Sequence, residues 1–169
     1  MIFYNEDKSM SFSFTDFECV VAYDITANKF DGAAIVDFVA TSNKRVLFIE
    51  AKNYIRTSNN TCIQASIDKT LSESIDELRD EVGFARKMIK KLEHSLFVWI
   101  ASGNHIQTPI FLLLVFNPPQ GYLSRERTKL VERLRKYLPS GAKDRSLIFF
   151  DFPSLTEIQN RYGFSVTIQ

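Results

Sequence analysis

Residues 30–56 read FDGAAIVDFVATSNKRVLFIEAKNYIR, and the rest of the chain is read outward from them. Ala34 to Ala40 is apolar except for Asp37, and Val46 to Ile49 is apolar again before Glu50-Ala51-Lys52. Thr41-Ser42-Asn43-Lys44 between them is polar and turn-forming, which is the pattern of a β-hairpin. A two-residue turn at Asn43-Lys44 pairs Ser42 with Arg45. Counting back from that pair sets Asp37 opposite Glu50 and Ile35 opposite Lys52. Side chains alternate faces along a strand, so Asp37, Glu50 and Lys52 share one face in this register. Opposed Cβ atoms lie ~4.5–5.5 Å apart, and two carboxylates that close repel unless a cation sits between them. A hard divalent cation, which takes oxygen ligands, suits that position. Lys52 then projects beside the metal, where an ammonium positions a water or steadies developing negative charge. A slip of one residue in the turn would send Asp37 to the other face.

Asp37, twelve intervening residues, then Glu50-Ala51-Lys52 resembles the motif of the PD-(D/E)XK nuclease superfamily, also called the restriction-endonuclease-like fold. The spacing is also similar to that of the archaeal Holliday-junction resolvases within it. Val36 stands where the name-giving proline would be, a departure the superfamily commonly shows. The resemblance implies that Asp37 and Glu50 bind Mg²⁺ or Mn²⁺, with the Ala51 carbonyl as a third ligand. Lys52 would be the catalytic lysine that assists the attacking water. The superfamily often carries a glutamate on its first helix, for which Glu18 is the candidate, nineteen residues before Asp37; a solvent-facing acidic residue in a first turn reads the same way. Many members carry a glutamine at the start of the next helix, for which Gln64 is the candidate; a surface glutamine at a helix entrance reads the same way. The resemblance is specific over residues 31–56 and elsewhere rests on the order of elements.

A chain of 169 residues is one domain by length, here taken as 1–169, and is long enough to bury a sizeable core. A hydrophobic content of 45%, rich in Phe, argues for a globular fold against disorder. Cys19 and Cys62 are too few for a disulfide framework. The start, MIFYNEDKSM, lacks the basic and apolar regions of a signal peptide. The apolar run Pro109–Phe116 is far short of a membrane span. A cytoplasmic protein without a membrane partner is expected. His94 and His105 are the only histidines and stand apart, against a His-based zinc site or a Ser-His-Asp triad.

The net charge of +1 is not that of an obvious nucleic-acid binder, but its distribution is uneven. Met1 to Asp37 holds seven acidic residues and two lysines, whereas Gly121 to Arg145 holds eight Lys/Arg and three acidic residues. An acidic patch at a metal site and a basic surface elsewhere fit a phosphodiester enzyme; ordinary solvated faces also carry such charge.

In chain order, Phe14, Phe17, Val21 and Ile25 recur at three to four residues and predict a short amphipathic helix within 11–26, with Asp16 and Glu18 in its first turn. After Lys52 the polar stretch Asn53–Gln64 predicts a loop, with Asn53 and Arg56 placed to meet a phosphate. Leu71, Ile75, Leu78, Val82, Ala85, Ile89, Leu92 and Leu96 keep a four–three spacing that predicts one helix over 70–96, capped at Thr70 or Ser66. Such a helix is ~39 Å long, so it either packs along the whole sheet or offers a homodimer seam. Gly83 would weaken its middle, and the helical phase continues through Leu96–Ala101 to a C-cap at Gly103. Ile110–Phe116 is an uninterrupted apolar run, as in a central strand covered on both faces. Ser124 caps a helix to Leu138 with Leu130, Val131, Leu134, Tyr137 and Leu138 inward. Its outer face carries Arg125, Arg127, Lys129 and Arg133, the best candidates for a nucleic-acid backbone, or a solvated face. Ser146–Phe152 reads as a strand, Ser154-Leu-Thr-Glu157 as a capping box for a helix ending at Gly163, and Phe164–Ile168 as an edge strand.

Alternating strands and helices predict an α/β fold, a mixed sheet flanked by helices on both faces, which is also the restriction-endonuclease-like core that the resemblance implies. The leading functional expectation is a metal-dependent nuclease acting on DNA, serving phage defence, a mobile element or repair and recombination. The length leaves little room for a recognition domain, so specificity would come from loops, an oligomer or a protein partner. The alternative is a catalytically silent module of the same fold that binds nucleic acid or protein. A third reading makes Glu50 and Lys52 a plain ion pair.

Overall fold

The computed structural model describes residues 1–4, 10–22, 34–43, 45–53, 80–104, 109–116, 122–138, 149–151 and 153–168. The strands are β1 (Ile2–Tyr4), β2 (Met10–Phe14), β3 (Cys19–Ala22), β4 (Phe38–Ser42), β5 (Arg45–Asn53), β6 (Pro109–Phe116), β7 (Phe149–Asp151) and β8 (Phe164–Ile168). The helices are α1 (Glu81–Ala101), α2 (Tyr122–Tyr137) and α3 (Leu155–Tyr162). They build a mixed α/β fold with two sheets.

The larger sheet has the order β3-β4-β5-β6-β7. The pairs β3/β4 and β4/β5 are antiparallel, and β5/β6 and β6/β7 are parallel. The hairpin has the expected register: Ser42 pairs with Arg45, Ala40 with Leu47 and Phe38 with Ile49. Two crossovers of one hand stepping the same way across a sheet bring both helices to one face. Accordingly α1 and α2 cover the face carrying Val39, Val46, Phe48, Phe111 and Leu113. Phe38, Ala40, Leu47, Ile49, Leu112 and Leu114 point the other way. That face is covered by α3 and by the smaller antiparallel sheet β1-β2-β8. The mixed sheet and helices on both faces are therefore present, with a second sheet that was not expected.

The helix expected within 11–26 is the main correction. Met10, Phe12 and Phe14 are buried while Ser11 and Ser13 are half-buried, the period of a strand. Phe14, Phe17 and Val21 come three to four apart because a strand, a short bend and a second strand follow one another. Phe14 meets Phe17 edge-on at 5.5 Å and stacks on Phe164 at 5.1 Å, which ties the chain's two ends together.

The long helix is shorter than its stripe. It starts at Glu81, where the Asp80 carboxylate accepts the Gly83 N–H at 3.0 Å as N-cap. Thr70 and Ser66 lie outside the described residues. Gly83 therefore stands in the first turn, not mid-helix, and a Cβ there would collide with the Asp80 carboxylate. Ala85, Ile89 and Leu92 are buried as expected, but Val82 is exposed and Phe84, Met88, Ser95, Val98 and Trp99 join the buried face. The stripe from 85 to 92 packs on its own sheet, which leaves no dimer seam there. The helix does continue through Leu96–Ala101; Ser102 caps it and Gly103 follows at φ 80°. In α2, Leu130, Leu134 and Leu138 are buried, but the helix begins at Tyr122, so Ser124 lies inside it rather than capping it. The capping box at Ser154–Glu157 and the left-handed Gly163 are both present. Arg45, beside the hairpin turn, donates to the carbonyls of Arg161 and Tyr162 at the end of α3.

Candidate functional site

Three of the residues singled out in the sequence come together at the end of the hairpin away from its turn. The β4–β5 ladder ends at Phe38 and Ile49. One step further, Asp37 replaces the main chain: its Oδ2 accepts the Ala51 N–H at 2.7 Å. Asp37 is 8% exposed and Glu50 is 0% exposed. Lys52 Nζ lies 3.0 Å from Glu50 Oε1, as alternation along β5 requires for residues two apart.

The chain before Asp37 leaves the ladder because its amides find partners on α1. The Val36 N–H donates to Ser95 Oγ at 2.9 Å, and the Ala34 N–H donates to His94 Nδ1 at 3.1 Å. A buried amide needs such an acceptor, and Ser95 is fully buried to supply it. Accepting at Nδ1 leaves the ring proton of neutral His94 on Nε2.

Lys91 was not among the sequence candidates. Its ammonium lies 2.7 Å from Oε1 and 2.8 Å from Oε2 of Glu50, bridging both oxygens. Lys91 stands in a basic stretch with Lys87 and Lys90, so its own neighbours in the sequence do not mark it as the partner of a buried carboxylate. The available signal was its i, i+4 relation to Ser95, a polar position beside Leu92 on the apolar face. The site thus holds two carboxylates and two ammonium groups, and it lies on the sheet face that α1 covers.

No protein-family model, curated protein or solved structure matches this chain.

Other candidates fall elsewhere. Glu18 is exposed, and its N–H donates to the Thr41 carbonyl at 2.9 Å, near the turn end of the hairpin. Four residues of strand separate Thr41 from Asp37, ~13 Å, so Glu18 is not in the site. Asn53 ends β5, half-buried, on the opposite face from Glu50 and Lys52 by alternation. Arg56 and Gln64 lie outside the described residues, as do the side chains of Arg125 and Arg127 in α2. Lys129 is exposed and Arg133 half-buried on α2.

Among the described residues no group of three His, Cys, Asp or Glu gathers as a metal cluster. The Asp37 and Glu50 carboxylates are oxygen donors of the kind a hard divalent cation takes. No described helix is long and apolar enough to cross a membrane.

Proposed function

We propose that the chain is a metal-dependent nuclease that hydrolyses phosphodiester bonds in DNA, with a site of the PD-(D/E)XK type. The supporting observation is the hairpin register, which carries Asp37 to the Ala51 amide beside Glu50 and Lys52. Among the described residues the order hairpin, helix, strand, helix from Phe38 to Tyr137 supports the later part of the core that the resemblance implies, whereas its first helix is replaced by the strands β2 and β3. In this reading Asp37, Glu50 and the Ala51 carbonyl hold Mg²⁺ or Mn²⁺. A bound ion would supply the positive charge that polarises the scissile phosphate and acidifies water. Lys52, whose side chain is 28% exposed against 0% for Glu50, faces the substrate side. Its ammonium orients the attacking water and steadies charge building on the phosphate oxygens. Glu50 fixes that ammonium through the 3.0 Å contact. The exposed Lys129 and the half-buried Arg133 contribute a basic face for the DNA backbone.

The test is cleavage of linear, circular, single-stranded and branched DNA, and of RNA, with Mg²⁺ or Mn²⁺. Lys52→Ala is expected to abolish cutting while melting like the wild type. Undiminished activity in that variant would sink the assignment.

One observation favours a second reading. Both Glu50 oxygens are already neutralised by lysines, as in a silent module of this fold that binds nucleic acid or a protein partner. That reading expects salt-sensitive DNA binding with no change in melting temperature on adding metal.

A further inference from the structure

Lys91 takes no part in the proposed reaction, yet its ammonium bridges both oxygens of the buried Glu50. A carboxylate offers about four lone-pair positions. At Glu50 the Lys91 ammonium takes one on each oxygen, at 2.7 and 2.8 Å, and Lys52 takes another on Oε1. A divalent ion approaching Glu50 meets a single remaining position and the full charge of an ammonium beside it. Lys91 is held there by its own helix turn. The Ser95 hydroxyl donates to the Lys91 carbonyl at 2.7 Å and accepts the Val36 N–H at 2.9 Å. The segment leading to Asp37 and the base of Lys91 are therefore positioned by one side chain. The Lys91 side chain retains 14% exposure, and its four-carbon stem is flexible, so the ammonium can move outward while the helix stays in place.

We propose that Lys91 is a built-in counter-cation of the metal site: it neutralises buried Glu50 when no metal is bound, and it must leave Glu50 for a divalent ion to bind. The proposal rests on the metal-site reading of Asp37 and Glu50. Metal loading is then an exchange, ammonium out and divalent ion in, so the fully buried carboxylate always has a cation beside it. Lys91 is a positioning residue, and it sets how much free metal the site needs.

The experiment is Mn²⁺ titration by calorimetry, with melting temperatures with and without Mn²⁺, on the wild-type chain, Lys91→Met and Lys91→Arg. Methionine keeps the stem and removes the charge. Lys91→Met is expected to bind Mn²⁺ on the order of ten- to a hundredfold tighter than the wild type. Its melting temperature is expected to be lower without metal and to rise further with it. Lys91→Arg keeps the charge and is expected to bind Mn²⁺ as the wild type does. Binding by Lys91→Met alone also supports the exchange. Equal affinity in wild type and Lys91→Met, lost in both on adding Asp37→Asn, overturns the exchange and leaves the metal site standing. No Mn²⁺ binding by either overturns both. A Lys91→Met chain that does not fold leaves the wild type to decide, by NMR of the Lys91 ammonium during Mg²⁺ titration. A resonance that shifts and loses its protection supports the exchange, and one unchanged overturns it.

Discussion

Asp37 carries a structural duty that can be separated from the metal binding proposed for it. Its carboxylate receives the buried Ala51 N–H. Asp37→Ala strands that amide and is expected to cost ~1–3 kcal/mol in urea unfolding. Asp37→Asn keeps an acceptor and should stay folded, yet lose the metal-induced rise in melting temperature. An undiminished rise in that variant would remove Asp37 from the ligand set. Ser95 has the matching role on the helix: Ser95→Ala leaves the Val36 amide without its acceptor and is expected to cost ~1–3 kcal/mol. Glu50→Gln removes the buried carboxylate that both lysines hold; because the Lys91 ammonium can turn outward to water, the expected cost is ~1–3 kcal/mol.

At the scale of elements, the helix ends are set by single residues. Gly83→Ala pushes a methyl into the Asp80 carboxylate and releases the N-cap of α1. The expected loss is ~1 kcal/mol by denaturant unfolding, whereas a merely intrinsic helix effect would make alanine there stabilising. Gly163 stands at φ 78° at the end of α3, where the chain turns into β8. Gly163→Ala is expected to cost ~1–2 kcal/mol, because an L side chain is strained there. The capping box at Ser154, the turn at Gly163 and the hairpin were legible because each is decided within a few residues; the Asp80 cap was not, because the apolar spacing runs on past it to Leu71. β2 shows its alternation in Met10-Ser-Phe12-Ser-Phe14, but the three-to-four spacing of Phe14, Phe17 and Val21 predicts a helix instead, because the bend between β2 and β3 mimics helical periodicity.

At the scale of the whole molecule, two apolar layers carry the fold, one on each face of the larger sheet. Phe12, fully buried between the sheets, meets Phe38 at a ring distance of 4.6 Å. Phe12→Ala is expected to lose ~3–5 kcal/mol and to unfold both sheets in one transition. Phe97, 70% exposed on α1, is the contrasting case: Phe97→Ser should stay within ~0.5 kcal/mol of the wild type. A large loss there would show that the outer face of α1 is covered in solution.

The hairpin, its register and the nearness of Asp37 to the Glu50-Ala51-Lys52 segment were determined by sequence alone, since turn chemistry and two-residue alternation are local rules. The buried strand at Ile110–Phe116 and the capping box at Ser154 were legible for the same reason. Tertiary structure decided what no local pattern encodes. β2 near the start pairs with β8 at the end. The start of α1 depends on which face of its apolar pattern the sheet accepts. Above all, Lys91 and Ser95 reach Glu50 and Val36 across 41 and 59 residues of chain. A buried carboxylate and a departing strand needed partners, and only the packing of the helix on the sheet determined which side chains would supply them.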